Sequence, residues 1–224
     1  RKSFNASSVK FEGVLRPEQT KVKNETIRHI NSYGSTIIAA APGFGKTALS
    51  IYIATRIKLK TLIITHRIVL INQWKSSILK FCPEANVQIL TSKSEMKTDT
   101  DFFIMNAINI PKKKHMFFRD IGFLIVDEIH CIMAEGLSKC MTRVVPRYVL
   151  GLSATPYRED GLNILLDLYF GTRKIIRKLY REHYVYPVIT GFTPEVELTQ
   201  TGRVNWNVVL ESQANDPDRN QLIL

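Results

Sequence analysis

Residues 39–47 read AAAPGFGKT. An apolar run over 36–41 feeds Pro42, Gly43, Phe44, Gly45, Lys46 and Thr47, and a helix-compatible run over 48–56 follows. Strand, glycine turn, Lys-Thr pair and helix, in that order, suit a loop that cradles phosphate. The glycines let the backbone curl so that successive N–H groups face an anion, and the positive end of the next helix adds to that field. In such a loop Lys46 reaches the β- and γ-phosphates of ATP and the Thr47 hydroxyl ligates Mg²⁺. The plain form of the motif wants Gly where Ala40 stands, so a ligand-free glycine turn is the rival reading, and residues elsewhere must decide.

Upstream, Pro17 suits the first position of a helix and Glu18 its first turn. Val22, Thr26 and Ile30 mark the buried face of that helix, and residues 31–34 end it. Downstream, short apolar runs predict strands over 61–65, 87–90, 101–106, 122–126 and 148–152, and helical spacing predicts helices over 68–81 and 163–170. Residues 91–101 read as a polar loop, 111–118 as an exposed turn or short helix, and 136–143 as helical. Short apolar strands alternating with helices predict an α/β fold, a parallel sheet with helices on both faces. Ligands bind beyond the carboxyl ends of such strands. The glycine loop, Asp127-Glu128 and Ser153-Thr155 all fall at those ends.

The bulk numbers point to a second partner. The chain has 224 residues, with 31 Lys and Arg against 20 Asp and Glu, a formal net charge of +11. A nucleotide-binding chain with that balance is expected to meet a polyanion, and nucleic acid leads the field. Three cysteines, Cys82, Cys131 and Cys140, have no metal-ligand spacing and read as reduced thiols of a cytoplasmic protein. No apolar run approaches the length of a membrane span, and the first residues carry no signal core. After Gly171 the character changes. Arg173, Lys174, Arg177, Lys178 and Arg181 form a basic run, 184–197 is rich in Tyr, Val and Pro and strand-like, and 206–210 and 218–224 begin another unit.

Asp127-Glu128 after the apolar run 122–126 supplies the acidic half of a nucleotide-hydrolysis site. One carboxylate, Asp127, holds Mg²⁺; its neighbour Glu128 orients or deprotonates the attacking water. Two adjacent acids are ordinarily a solvated turn; a phosphate loop upstream changes that reading.

With AAPGFGKT (40–47), ITHRIVLINQW (64–74), VDEIH (126–130) and GLSATP (151–156) all quoted, the chain resembles the superfamily 2 helicases, in the family's order and spacing. The family's loop begins with Ala, which accounts for Ala40. DEIH marks the DExH type. LRPEQ (15–19) and Arg158-Glu159-Asp160 after SATP are similar to the XPB and UvsW branch, and most of all to transcript-release helicases of large cytoplasmic DNA viruses of the poxvirus and asfarvirus type. The resemblance implies a RecA-like first domain over 15–190, a lead-in over 1–14, and over 191–224 a linker and the start of a second RecA-like domain missing from this chain. It implies that Gln19 reads the adenine edge with Arg16 in support, that His130, Ser153, Ala154 and Thr155 couple nucleotide state to movement, and that Thr65, His66, Arg67, Asn106, Arg158, Glu159 and Asp160 face nucleic acid. Each has a plainer reading: Gln19 as an exposed helix residue, Ser153 and Thr155 as helix caps, His66-Arg67 as solvated surface, Lys112 to Lys114 as a solvated face, residues 158–160 as a surface charge cluster. Trp74 and Phe102-Phe103 read as core. The family's Q-x-x-G-R-x-x-R-type motif, with its arginine finger, does not occur, so slow hydrolysis by this monomeric chain alone is expected; such a finger is worth about 10³ to 10⁵ in rate in GTPases. The implied activity is ATP-dependent 3′ to 5′ translocation and strand separation on DNA, or a DNA–RNA hybrid, in viral transcription or DNA metabolism in the host cytoplasm or virion. The alternatives are a duplex-DNA translocase that separates no strands, a small-molecule P-loop kinase, and a binding module without catalysis.

Overall fold

Successive residues of the first strand, β1 (Ser35–Ala40), point into two different cores. Ile38 and Ala40 join one apolar cluster, and Ile37 and Ala39 join a second on the opposite face. That is what period-two alternation produces in a strand buried on both sides. The same split recurs along β2 (Thr61–Thr65), β4 (Phe102–Asn106) and β5 (Phe123–Val126). Ile63, Ile104 and Ile125 fall on the first face; Leu62, Phe103 and Leu124 fall on the second. Each such side chain, fully buried, is worth about 1.5–3 kcal/mol of transfer energy.

The structure is a computed structural model that describes residues 6–133, 138–155, 163–177 and 184–223. With β3 (Val87–Leu90), β6 (Tyr148–Ser153) and β7 (Lys174–Arg177) added, seven strands form one parallel sheet in the order β3-β4-β2-β5-β6-β1-β7. This is the expected α/β architecture. The first face is covered by α1 (Pro17–Tyr33), α2 (Lys46–Ile57) and α3 (Ile68–Phe81), through Val22 and Ile30, Leu49 and Ile53, and Trp74 and Ile78. The second face is covered by lighter pieces: α4 (Ile129–Ile132), α5 (Asn163–Phe170) and 3₁₀ turns at Ala107–Lys112, His115–Phe118 and Ser138–Cys140.

The ends of α1 follow its sequence. Pro17 occupies the first turn, the Arg16 N–H donates to Gln19 Oε1 at 2.9 Å, and the Gly34 N–H at φ 81° returns to Ile30 O. Val22, Thr26 and Ile30 are the buried stripe, as their spacing predicts.

Three readings change. Within the basic run, Lys174–Arg177 is a strand, paired in parallel with β1. It lies at the end of the sheet order, where charged side chains are tolerated and protective. Lys174 meets Asp167 at 3.1 Å and Arg177 meets Glu25 at 2.8 Å, while Lys178 and Arg181 lie outside the described residues. Residues 184–197 form no strand, because β propensity is expressed only against a partner strand and this stretch has none among the described residues. Of the helix expected over 136–143, residues 136 and 137 lie outside the described residues and 138–140 form a 3₁₀ turn.

The lead-in docks on the sheet domain. Ser7 Oγ donates to Asp101 Oδ1 at 2.8 Å, and the Phe11 ring stacks on Phe81 at 5.1 Å. The chain divides into two compact units, Arg1–Leu179 and Tyr180–Leu224. The second unit holds α6 (Trp206–Asn215) and α7 (Pro217–Ile223). Asn205 Oδ1 caps α6 through the Asn207 N–H, and Asp216 Oδ1 accepts from the Arg219 N–H at 2.6 Å in α7.

Candidate active site

The turn after β1 is held from behind. Phe44 is buried in the first core and pins the turn's midpoint. The Arg16 guanidinium donates to Gly43 O at 3.2 Å and to Phe44 O, and Gln19 Nε2 donates to Phe44 O at 3.0 Å. Gly43 and Gly45 have φ of 78° and 84°, in the left-handed region. The positive φ favours glycine at 45, and a Cβ there would stand 2.4 Å from Gln19 Nε2, so a side chain would also have to displace the Gln19 amide. Pro42 is exposed on the outside of the turn. α2 opens at Lys46 directly after Gly45, and the first N–H groups of a helix have no intrahelical partner. Both atoms of the Gln19 amide are spent on the protein, Nε2 on the loop and Oε1 on the Arg16 N–H. In this structure Gln19 and Arg16 act as a brace under the loop.

The acidic pair meets that loop. Gly43, Gly45, Lys46 and Thr47 share a cleft of about 490 Å³ with Asp127, Glu128, Leu70, Gln73, Trp74 and Ser77. The parallel sheet makes this possible, since β1 and β5 both end at the same edge. Asp127 is fixed at both carboxylate oxygens: Trp74 Nε1 donates to Oδ2 at 2.8 Å, and the Glu128 N–H donates to Oδ1 at 3.1 Å. Burial pushes the Asp127 carboxyl above its ordinary range; the Trp74 hydrogen bond opposes this, and the Glu128 charge adds to it. Burial also lowers Lys46, against the pull of Glu128 and Asp127, and the ammonium donates to Ala40 O at 2.6 Å. Glu128 has φ 48°, an uncommon conformation for a residue with a side chain and one that recurs at functional sites.

A second linkage leaves the acidic pair. His130 Nδ1 lies 3.5 Å from Glu128 Oε2 and 3.0 Å from Ser153 Oγ. Ser153 is buried, and its hydroxyl closes a small turn, donating to Thr155 O at 2.5 Å and accepting the Thr155 N–H at 3.0 Å. The ends of β5 and β6 are thus joined through one imidazole and one hydroxyl. Ala154 is half-buried beside Ser153, and Thr155 is exposed.

The residues expected to face nucleic acid are less uniform. Arg67 is exposed at the mouth of α3, whereas Thr65 is fully buried, with Oγ1 donating to Arg67 O at 3.3 Å. His66 is half-buried, its Nδ1 atom has no hydrogen-bond partner among the described residues, and burial lowers its pKa. Asn106 is buried, and its side-chain oxygen caps the 3₁₀ turn after β4 by accepting the Ile108 N–H. Arg158, Glu159 and Asp160 lie outside the described residues. Sequence reasoning placed Trp74 in the core. The structure buries its ring there but sends its N–H to Asp127, and the usable clue was that a buried indole N–H needs an acceptor.

The profile of the ResIII family, described as Type III restriction enzyme, res subunit, matches residues 12–158, which hold the phosphate loop, both acids and the Ser153 turn. The chain belongs to the ResIII family. Several of its relatives are viral. This ResIII domain is 46% identical to 161L of Invertebrate iridescent virus 6, named as a candidate helicase, in a match covering 100% of this chain and 52% of that protein. It is 31% identical to 055L of Frog virus 3, also named as a candidate helicase, covering 92% and 49%. It is 32% identical to the DNA 3'-5' translocase XPB2 of Sulfurisphaera tokodaii, covering 64% and 33%. The chain spans about half the length of the viral relatives. Among solved structures, the ResIII domain superposes on the Sulfolobus solfataricus SWI2/SNF2 ATPase core in complex with dsDNA with a TM-score of 0.62 at 17% identity, covering 75% of this chain and 38% of that one. It superposes on the UvsW helicase from Bacteriophage T4 with a TM-score of 0.59 at 18% identity, covering 79% and 64%. The fold is that of the RecA-like core of these neighbours.

Proposed function

We propose that this domain binds Mg²⁺·ATP and forms the first half of a nucleic-acid-dependent motor that moves 3′ to 5′ and separates strands. One observation carries the reading: the phosphate loop and the acidic pair, from strands far apart in sequence, line a single cleft. The residues present fit the nucleotide and its metal. The loop offers helix N–H groups and a lysine to an anion. Thr47 and Asp127 offer oxygen ligands of the kind Mg²⁺ takes when phosphates and water complete its shell. Among the described residues no cluster of three His, Cys, Asp or Glu competes as a metal site. When bound, Mg²⁺ neutralises charge on the terminal phosphates. In this proposal Lys46 exchanges Ala40 O for phosphate oxygens, Glu128 orients the attacking water and takes its proton, and His130 reports through Ser153. Gln19 turning part of its amide to the adenine edge, with Arg16 in support, belongs to the same reading.

Nucleic acid as partner is supported by the net charge of +11 and by Arg67 exposed at the same edge. A second RecA-like domain, supplying the arginine finger, is proposed for the part of the protein beyond this chain. A monomeric motor serving viral transcription or DNA metabolism, in the host cytoplasm or virion, is the setting the viral relatives favour. A second reading is movement along duplex DNA without strand separation; one relative, XPB2, is named a DNA 3'-5' translocase. The test is ATP turnover by the whole protein with single-stranded DNA, duplex DNA, RNA or no polymer, followed by strand displacement. Turnover stimulated by polymer and lost in Lys46→Ala supports the proposal. Turnover indifferent to every polymer, or unaffected by that substitution, overturns it.

A further inference from the structure

Trp74 is a large core side chain whose polar atom reaches a carboxylate of the cleft. Its ring is 2% exposed, in the same apolar cluster as Ile71 and Ile78 of α3 and Leu49 of α2. Its only polar atom, Nε1, donates to Asp127 Oδ2 at 2.8 Å. The Glu128 N–H holds Oδ1. A carboxylate has about four lone-pair sites. Two are taken by donors fixed in the protein, which sets the plane of the carboxylate and leaves the remaining lone pairs to the cleft. The backbone bond comes from the adjoining residue and fixes little alone. The indole bond comes from another secondary-structure element, packed in the core, and is the only side-chain hydrogen bond to Asp127 among the described residues.

We propose that Trp74 is a positioning residue for the magnesium carboxylate: its indole N–H sets the orientation in which Asp127 meets the metal. The inference rests on the nucleotide reading above. A purely structural tryptophan would contribute through its ring alone, and phenylalanine would serve nearly as well.

The test compares the parent and Trp74→Phe by titrating a fluorescent ADP analogue with and without Mg²⁺. Phenylalanine keeps an aromatic ring in the core and deletes the donor. The expected result is near-parental nucleotide binding without Mg²⁺, from an intact phosphate loop, with the half-saturating Mg²⁺ concentration raised about 10- to 100-fold, the range for partners of metal ligands. A second reading leaves Trp74 in place and holds even if the phenylalanine variant fails to fold. The chain has two tryptophans, so Trp206→Phe assigns the Trp74 indole N–H resonance in a ¹⁵N–¹H spectrum. At saturating ADP that resonance is expected to move with added Mg²⁺ and to stay still in Asp127→Ala. Parental binding with unchanged Mg²⁺ dependence in Trp74→Phe, or an indole resonance blind to Mg²⁺, overturns this inference alone. A parent that binds no nucleotide overturns the nucleotide reading and this inference with it.

Discussion

The turn after β1 and the turn after β2 sit at the same edge of one sheet and are built in opposite ways. The first is pinned by a buried phenylalanine, braced by Gln19 and Arg16, and shaped by two left-handed glycines. The second, at Thr65 to Arg67, has one weak side-chain bond at 3.3 Å, an exposed arginine, and two exposed aliphatic residues after it, Ile68 at 73% and Val69 at 66%. A triphosphate has a fixed shape, and a preformed cradle avoids the ordering cost of binding it. A polymer backbone is held by charge spread along its length, which tolerates adjustable contacts.

Four experiments break or sharpen this contrast. The largest effect is expected from Lys46→Ala, which removes the charge from the braced turn. Loss of one partner of a desolvated charge contact costs about 2–5 kcal/mol, so nucleotide affinity falls by about 30-fold or more. Burial disfavours the charged lysine in the folded chain, so the variant is expected to melt no lower than the parent. A variant that loses binding by unfolding would contradict this. Next is Gly45→Ala, where strain of about 1–3 kcal/mol adds to the clash with Gln19. Nucleotide affinity should fall roughly tenfold; an unchanged affinity would show that the brace does not set the loop.

Arg67→Ala tests the open turn. Nucleic-acid binding should weaken by a few-fold and the slope of log affinity against log salt should shrink by about 1, with nucleotide affinity untouched. Equal loss of both would mean the two turns are one site. The smallest effect concerns stability. The Asp127 carboxyl is raised in the folded chain, chiefly by burial, so its ionisation opposes folding. That penalty is absent below the ordinary carboxylate range and grows as pH rises through the raised value. Asp127→Asn keeps an oxygen for the Trp74 N–H, and its melting temperature should exceed the parent's at neutral pH, by about 2–4 °C per kcal/mol for a domain of this size. The gain should vanish in acid; a gain independent of pH would assign it to something other than this charge.

Much of this was legible from residues alone. Strands buried on both faces are short apolar runs, so β1, β2, β4, β5 and most of β6 announce themselves, and the phosphate loop, the acidic pair and the Ser153 turn sit at the ends of β1, β5 and β6. What was hidden depended on partners. β7 is written in lysine and arginine because it pairs along only one edge, and its identity comes from β1 beside it. The stretch 184–197 has strand composition without a strand to join. Gln19 reads as an adenine-edge residue, and the bonds its amide also makes to the loop became visible only once the fold showed where α1 ends up. Trp74 was hidden by its own bulk, since a ring that size argues for core whatever its nitrogen does.

The place of β1 in the sheet also bears on how the protein is made. Within this sheet β1 is made before any other strand, and its two neighbours, β6 and β7, are made after all the rest. Ile37 and Ile38 must therefore wait, apolar and unpaired, until Gly151 and Lys174 have emerged. Pairings so distant in sequence form slowly and leave a nascent chain open to aggregation meanwhile. Growth temperature and chaperone supply, more than any surface residue, should decide how much soluble protein a host cell yields.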